Sequence, residues 1–279
     1  MKDYIKQDLE SIYFSNYIAK ARELNEKLKK DFISDNCLPL HFTGKQDAKT
    51  ILVMLNPGNE NKEYSFKDDN ENKDISFERF YENYLNGHIN YGLLNRENKI
   101  DAFDLKQAAF LMAFSNSGIE LPDFIQNPDK KLIAQVNVLM QKLQLELIPY
   151  CSRTFSGILD NKKQALENIE ILAPFIENIF NSIIEHERTN VIFCAKQFTN
   201  LFYAYNKKGF GKIEFGTEAT SKIEGLKKKV YFNSVKIYYK ENEITAGIAN
   251  SFPRRDLPNA YSKMREYGKF CHENLMKIN

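Results

Sequence analysis

The sequence predicts an α/β protein, a three-layer α/β/α sandwich built around a mainly parallel central sheet. Short apolar runs typical of buried strands recur along the 279 residues, and segments with helical spacing of apolar side chains separate them. Polar residues interrupt these runs near their ends, so they should converge on one edge of the sheet. A hydrophobic content of 43% supports an ordinary core, and no linker divides the chain, so we expect one domain over residues 1–279.

The first core strand is predicted at residues 50–55, where every residue is β-branched or apolar. Pro57 cannot donate to a strand ladder and Gly58 permits a turn with positive φ, so the strand should stop directly after Asn56. Asn56 is then expected at the carboxyl end of a central strand, the edge at which open α/β sheets bind ligands. A strand that merely ends in a turn would show the same pattern.

The other elements follow in alternation. Helical spacing predicts one or two amphipathic helices in an N-terminal segment, residues 1–33. Further helices are predicted at 77–85, 105–114, 132–143, 160–187, 196–205 and 261–276. Further strands are predicted at 144–150, 190–195, 230–232, 235–239 and 244–250. Asp160 or Asn161 should cap the longest helix, Pro174 should break or restart it, and Pro149 should stop the second core strand.

Charge is distributed unevenly along a chain whose net charge is only +2. Between Lys196 and Lys240 the sequence has ten Lys against three Glu, and this stretch contains a β-rich, basic insert predicted at about residues 207–240. Such a stretch permits a basic face that binds a polyanion, although a solvated lysine surface would have the same composition. A polyanion is therefore a candidate partner.

The cysteines and histidines show no pattern of metal ligands. Cys37, Cys151, Cys194 and Cys271 lie far apart without a CxxC pair, and the four His are likewise scattered. We therefore expect no metal and no cofactor. No apolar run approaches the roughly 20 residues that span a bilayer, and the charged N-terminal sequence has no signal-peptide core. We expect a cytoplasmic monomer without a membrane partner.

Three motifs, taken in order, resemble those of the uracil-DNA glycosylase superfamily. Leu55-Asn56-Pro57-Gly58 resembles the motif that ends the first strand and is nearest to the mismatch-specific and thymine-type members. Residues 191–197 resemble a later buried strand with an Ala-Lys helix start. Ser251-Phe252-Pro253-Arg254-Arg255 takes the place of the loop that enters the DNA minor groove. The resemblance covers about residues 40–270 and implies a uracil-DNA-glycosylase-like fold.

Two departures from the family pattern concern the substrate. Glu146 stands where the resemblance places an Asn that reads the base, and the final loop has no His. A carboxylate accepts hydrogen bonds and the exocyclic amine of cytosine donates them, so Glu146 favours an amino-bearing base over uracil. A Glu146 that lies on a strand face beside a lysine is the structural alternative. The long stretches 59–73 and 207–239 favour a wider pocket for a bulky modified base.

The resemblance implies a monofunctional DNA glycosylase that flips a modified or damaged base and excises it with water, leaving an abasic site. A modified cytosine of phage DNA, and hence antiphage defence, is the favoured case. Asn56 would position the water. The expected base contacts are Glu146, Tyr64, Phe66, Tyr150, Pro57 and Gly58. The expected DNA contacts are Ser251, Phe252, Pro253, Arg254, Arg255, Lys263, Arg265 and Lys196.

Three alternatives stay open at the level of the sequence. The same chemistry could serve base-excision repair of uracil or mismatched thymine. A catalytically inactive nucleic-acid-binding module on the same fold would retain DNA without forming abasic sites. An unrelated α/β hydrolase or nucleotidyl enzyme should need a metal cluster or a Gly-rich phosphate loop, and the sequence shows neither.

Overall fold

The computed structural model describes residues 2–31, 33–35, 37–57, 75–90, 102–115, 137–152, 155–224, 229–252 and 261–277. The helices in this part of the chain are α1 (Lys2–Ser15), α2 (Ala19–Leu28), α3 (Phe77–Asn90), α4 (Ala102–Phe114), α5 (Lys162–Glu185), α6 (Gln197–Lys207) and α7 (Tyr261–Met276). The strands are β1 (Phe42–Gly44), β2 (Thr50–Met54), β3 (Lys142–Glu146), β4 (Asn190–Phe193), β5 (Lys212–Ser221), β6 (Val230–Tyr239) and β7 (Asn242–Ala249). The protein is thus a mixed α/β protein.

The strands form one seven-stranded sheet in the order β1-β3-β2-β4-β7-β6-β5. Strands β3, β2, β4 and β7 run parallel, and the register pairs Thr50 of β2 with Lys142 of β3 and with Asn190 of β4. Strands β1, β6 and β5 add antiparallel pairs on the two sides. The sheet is therefore mixed rather than mainly parallel, because the chain turns back on itself from β5 to β6 and from β6 to β7.

Alternate residues of β2 enter two separate hydrophobic clusters. Ile51 and Val53 join a first cluster with residues of α1, α2, α3, α5 and α6. Leu52 and Met54 join a second cluster with residues of α4 and α7. Buried side chains thus leave β2 in both directions, which explains why its sequence is apolar without a break.

Most described elements lie where the periodicity predicted them. Helix α7 spans the predicted residues, whereas α3 continues to Asn90 and α4 begins already at Ala102. Strand β3 requires a correction, since it begins at Lys142, inside the stretch predicted as a helix, and ends at Glu146 rather than Tyr150. Lys142, Gln144 and Glu146 are polar but buried. In the sequence, polar residues among apolar ones look like the exposed side of a surface element, so the start of this buried strand was not recognised.

Helix α5 begins after Asn161, whose side chain accepts a hydrogen bond from the backbone N–H of Gln164 at 3.0 Å. This cap satisfies one of the N–H groups that a helix start leaves without a partner. Pro174 lies inside the continuous helix and neither ends nor restarts it. The buried face of the helix, from Ala165 to Ile183, packs into the first cluster.

Helices α4 and α7 approach each other closely at Gly268. A Cβ atom on Gly268 would lie 2.2 Å from the carbonyl oxygen of Phe110 in α4, so only glycine fits without a shift of the backbone. Phe252, directly after β7, packs edge-on against Phe110 with ring centroids 5.0 Å apart. None of the helices in the described ranges is long and apolar enough to cross a membrane.

Candidate functional site

The carboxyl ends of the four parallel strands meet at one edge of the sheet. The strand that follows β2 in the chain, β3, lies on one side of it, and the strand that follows β4, β5, lies on the other side, so the direction of the connections reverses between β2 and β4. Open α/β sheets bind ligands in the crevice at such a switch point. The residues there are Leu55, Asn56 and Pro57 after β2, and Cys194, Ala195 and Lys196 after β4.

Asn56 has a fixed side-chain orientation in this crevice. Its Nδ2 donates hydrogen bonds to Oγ of Ser152 at 2.5 Å and to the carbonyl oxygen of Pro57 at 2.9 Å. Because a carbonyl oxygen only accepts hydrogen bonds, the atom that faces Pro57 must be the amide nitrogen. Within the described part of the chain, no hydrogen bond uses Oδ1 of Asn56. The half-buried side chain therefore offers an acceptor to a water or a ligand.

The loops after β2 and β3 run side by side beyond the ends of the strands. The N–H of Leu147 donates to the carbonyl of Met54 at 2.8 Å, and the N–H of Ser152 donates to the carbonyl of Pro57 at 3.1 Å. Pro57 itself is buried. These backbone bonds hold Ser152 next to Asn56 although the two residues are 96 positions apart. The sequence shows no local signal for this partner, so Ser152 was not predicted.

Glu146 lies at the carboxyl end of β3, the strand next to β2. The register pairs Glu146 with Met54, two residues before Asn56. Only 7% of Glu146 is exposed, and among the described residues its Oε2 has no hydrogen-bond partner. A buried polar atom without a partner destabilises a protein by about 1–3 kcal/mol, and a bound ligand can supply the missing hydrogen bond. Oε2 is therefore a candidate ligand contact.

A chain of buried polar side chains leads to Glu146. Nε2 of Gln144 donates to Oε1 of Glu146 at 2.7 Å. Oε1 of Gln144 in turn accepts from Nζ of Lys142 and from Nε2 of Gln107 in α4, both at 3.0 Å. Lys142 also donates to Oε1 of Gln107, and its Nζ lies 3.8 Å from Oδ1 of Asp104. Three alternate residues of β3 thus form a polar row inside the protein, which the sequence analysis did not predict.

Burial governs the protonation of both ends of this row. Burial raises the pKa of Glu146 to about 8, although the hydrogen bond from Gln144 and the charge of Lys142 oppose the shift. Burial lowers the pKa of Lys142, and Asp104 and Glu146 oppose that shift. Burial therefore favours the neutral carboxylic acid form of Glu146. The sequence left open that Glu146 lies beside a lysine on the strand face. Lys142 lies on the same face, but Gln144 stands between the two groups and forms a hydrogen bond with each.

The thiols near the crevice are not activated as nucleophiles. Burial raises the pKa of Cys194 well above its usual value. A hydrogen bond with Cys37, together with burial, raises the pKa of Cys151. A nucleophilic cysteine needs a lowered pKa so that the thiolate is present at neutral pH. Neither thiol meets this condition.

Tyr150, expected to contact a base, lies in the first hydrophobic cluster. Its hydroxyl donates to Oδ2 of Asp8 at 2.8 Å and lies 2.7 Å from the hydroxyl of Tyr4. Nε2 of His41 lies 3.0 Å from the same Asp8 oxygen. Burial raises the pKa of Tyr150, so its hydroxyl stays protonated. The enclosed ring has no free face for a base, and Tyr150 is not part of the crevice.

Lys196 is the exposed basic residue at the crevice. It precedes α6, and its Nζ lies 4.1 Å from the centre of the Tyr231 ring, a cation–π contact. The contact holds the long side chain against the surface. The ammonium group therefore lies toward β6 and stays exposed, where it can meet an anion.

The other expected DNA contacts are spread over the end of β7 and helix α7. Ser251 is half-buried, whereas Phe252 is 1% exposed and packs into the second cluster, which leaves it no surface for DNA. Lys263 and Arg265 are half-buried on α7. The remaining predicted site residues, Gly58, Tyr64, Phe66, Pro253, Arg254 and Arg255, lie outside the described residues.

Among the described residues, no three His, Cys, Asp or Glu side chains form a group that could hold a metal ion. Comparison of the chain with protein-family models, with curated proteins and with solved structures gave no match. Function therefore has to be inferred from the geometry of the crevice and from the order of the motifs.

Proposed function

We propose that the protein is a monofunctional DNA glycosylase built as a three-layer α/β/α sandwich of the uracil-DNA glycosylase type. It binds DNA as a monomer and flips a modified or damaged base into the crevice between β2 and β4. Water then hydrolyses the N-glycosidic bond and leaves an abasic site. The order of the three motifs supports the glycosylase activity. The side chains of β2 lie in two separate hydrophobic clusters with different helices, which supports helices on both faces of the sheet.

The fixed amide of Asn56 is the observation that carries this proposal. Ser152 and Pro57 hold Nδ2, so Oδ1 keeps one direction and can accept a hydrogen bond from a water. An amide oxygen does not ionise, and it orients the water without competing as a nucleophile. Removing one well-placed polar group from an active site lowers the rate about 10²–10³-fold in other enzymes. Asn56 is therefore the proposed catalytic residue.

The reaction requires a correctly placed water and groups that stabilise the charges on the sugar and the departing base. The C1′–N bond breaks toward an oxocarbenium-like sugar, the base leaves with the electron pair, and the water oxygen bonds to C1′ while one of its protons passes to solvent. The departing base takes up a proton from solvent. Lys196, exposed in the loop after β4, would attract the DNA backbone.

A modified cytosine of phage DNA is the substrate that we favour, and antiphage defence is then the biological role. The buried polar row that ends in Glu146 supports a base with several hydrogen-bonding groups on its edge. Base-excision repair of uracil or mismatched thymine is the second candidate. The two roles differ only in the base that is released, so one assay separates them.

The test is an abasic-site assay with the purified protein. Duplex and single-stranded oligonucleotides carry uracil, mismatched thymine, hydroxymethylcytosine or glucosylated hydroxymethylcytosine, and hot alkali cleaves the strand wherever a base has been lost. We expect cleavage of at least one modified-cytosine substrate by the wild type. Asn56→Ala should lower the rate about 10²–10³-fold.

Asn190→Ala is the matched control. Asn190 is half-buried at the start of β4, at the opposite edge of the same sheet, where its Nδ2 lies 3.5 Å from Oγ1 of Thr50. This variant should retain the wild-type rate. Salt-sensitive DNA binding without abasic sites on any substrate would reject the glycosylase and favour the nucleic-acid-binding module.

A further inference from the structure

We propose that Lys142, Gln107 and Gln144 are positioning residues that present Glu146 as a neutral hydrogen-bond donor. Oε2 of Glu146 then reads an acceptor atom of the ligand, a ring nitrogen or a keto oxygen of a base. Naming a base as the ligand rests on the proposed glycosylase function, whereas the state of the carboxyl group does not.

The direction of the hydrogen bonds in the polar row follows from Lys142. Nζ of Lys142 donates to both side chains, so the atoms of Gln107 and Gln144 that face Nζ are their Oε1 oxygens. Nε2 of Gln107 then donates to Oε1 of Gln144, and Nε2 of Gln144 is left to donate to Oε1 of Glu146 at 2.7 Å. If either amide group were rotated by 180°, so that Oε1 and Nε2 exchanged places, two donors would face each other.

This direction determines which oxygen of Glu146 carries the proton. Oε1 already accepts from Gln144, whereas Oε2 is buried and has no partner among the described residues. A proton on Oε2 leaves Oε1 as the carbonyl acceptor that Gln144 requires. The carboxyl group therefore presents an O–H at its free oxygen.

The surroundings of Glu146 favour the neutral form. Burial raises its pKa to about 8, more than the Gln144 hydrogen bond and the Lys142 charge lower it. The other titratable groups nearby are Asp104, which lies 3.8 Å from Nζ of Lys142, and the thiols of Cys151 and Cys194. The raised pKa values of both thiols keep them uncharged, so neither adds a charge that acts on Glu146.

A donor at Oε2 reverses the recognition expected from the sequence. A carboxylate would accept from the exocyclic amine of cytosine, whereas the acid donates to the ring nitrogen N3 of cytosine or to a keto oxygen such as O4 of uracil. As pH rises through about 8, the proton leaves Oε2 and the carboxylate repels the same acceptor. Recognition should therefore be lost on the alkaline side.

The first measurement needs no DNA. Infrared difference spectra of the wild type against Glu146→Gln should show the carbonyl band of one carboxylic acid at pH 7, and this band should disappear as pH rises through about 8. Lys142→Met and Gln144→Leu should both move the midpoint to higher pH, because each removes a group that lowers the pKa of Glu146. Circular dichroism confirms that each variant is folded.

The second measurement is the pH dependence of base release on the substrate that the wild type cleaves. The wild-type rate should fall about tenfold for each pH unit above the midpoint, since only the acid form binds. The pH profile of Glu146→Gln should lack this alkaline fall, because its amide oxygen accepts from Gln144 and its NH2 replaces the hydroxyl with a donor that does not titrate. Cytosine derivatives and uracil, compared side by side, show whether the acceptor is N3 or a keto oxygen.

The outcomes of the two proposals are separable. A carboxylate at pH 7, or an alkaline fall that persists in a folded Glu146→Gln, would overturn the donor role. If the wild type releases no base from any substrate, the glycosylase proposal fails, and the infrared titration alone decides whether the row presents a neutral acid.

Discussion

Asn56 and Ser152 join the loops that follow two neighbouring parallel strands, through a hydrogen bond of 2.5 Å between Nδ2 and Oγ. The contact forms only when β2 and β3 are paired, since the two residues are 96 positions apart. Without Ser152, the amide of Asn56 would keep only its bond to the neighbouring carbonyl of Pro57. The direction of Oδ1 is therefore a product of the sheet rather than of the Asn-Pro-Gly motif.

Ser152→Ala should lower the rate of base release about five- to tenfold, less than Asn56→Ala. One hydrogen bond of the amide is lost, worth about 1 kcal/mol, but Oδ1 remains. Single-turnover rates at saturating protein separate this effect from DNA affinity. Ser156→Ala is the control, because Ser156 is a loop serine whose Oγ bonds to Asp160 away from Asn56. Equal rates for wild type and Ser152→Ala would show that the amide needs no second anchor.

Lys196→Ala should weaken DNA binding and reduce the slope of log affinity against log salt by about one. Lys196 is exposed at the crevice, where a phosphate can displace its contact with the Tyr231 ring. Fluorescence anisotropy at several salt concentrations measures the slope. Lys49→Ala provides the comparison, since Lys49 is exposed just before β2 at the opposite edge. An unchanged slope in Lys196→Ala would remove this residue from the DNA surface.

His88 should make the protein less stable in acid. Burial lowers its pKa from 6.5 to about 4, so the unfolded chain takes up the proton first as pH falls. The free energy of unfolding should therefore decrease between about pH 6.5 and pH 4, by about 2–3 kcal/mol from this group. Urea unfolding of the wild type and His88→Gln at pH 7 and pH 4 measures the difference. The variant should lose less stability than the wild type over this interval.

Gly268→Ala should destabilise the protein by about 1–3 kcal/mol, because the added methyl group would overlap the carbonyl oxygen of Phe110. Gly87 in α3 offers a matched control, since a Cβ atom there meets nothing within 4 Å. Gly87→Ala should instead raise the free energy of unfolding by up to about 1 kcal/mol through helix propensity. Thermal unfolding of both variants decides. Similar effects of the two substitutions would contradict the close crossing of α4 and α7.

The fold could be predicted from the sequence where the buried residues are apolar. Strands β2 and β4 are apolar because both faces are covered, and their runs indicated them correctly. Strand β3 was misplaced because Lys142 and Gln144 are polar yet buried, and they satisfy one another only in the folded protein. The turn between β6 and β7 uses Lys240 and Glu241, both with positive φ, instead of the Asn-Gly pair that marks such hairpins.

The candidate site was predicted in part, for similar reasons. Asn56 could be singled out because it follows a buried strand directly and precedes a proline. Ser152 and Gln107 could not, since nothing near them in the sequence reports a contact across the sheet. Glu146 could be singled out because it is a charged residue within an apolar stretch of the sequence. Its neutral form depends on burial, which only the structure shows.

Strand β5 ends the sheet with a long, mostly exposed strand, and its geometry opposes edge-to-edge aggregation. Its pairing with β6 is irregular between Phe215 and Glu218, which interrupts the row of free backbone groups that another molecule's strand would need. Lys212 and Glu214 add charges on the strand, 2.6 Å apart as an ion pair. A second chain that added a strand there would disturb both the irregular pairing and the ion pair. Fibril growth by strand addition should therefore not begin at this edge.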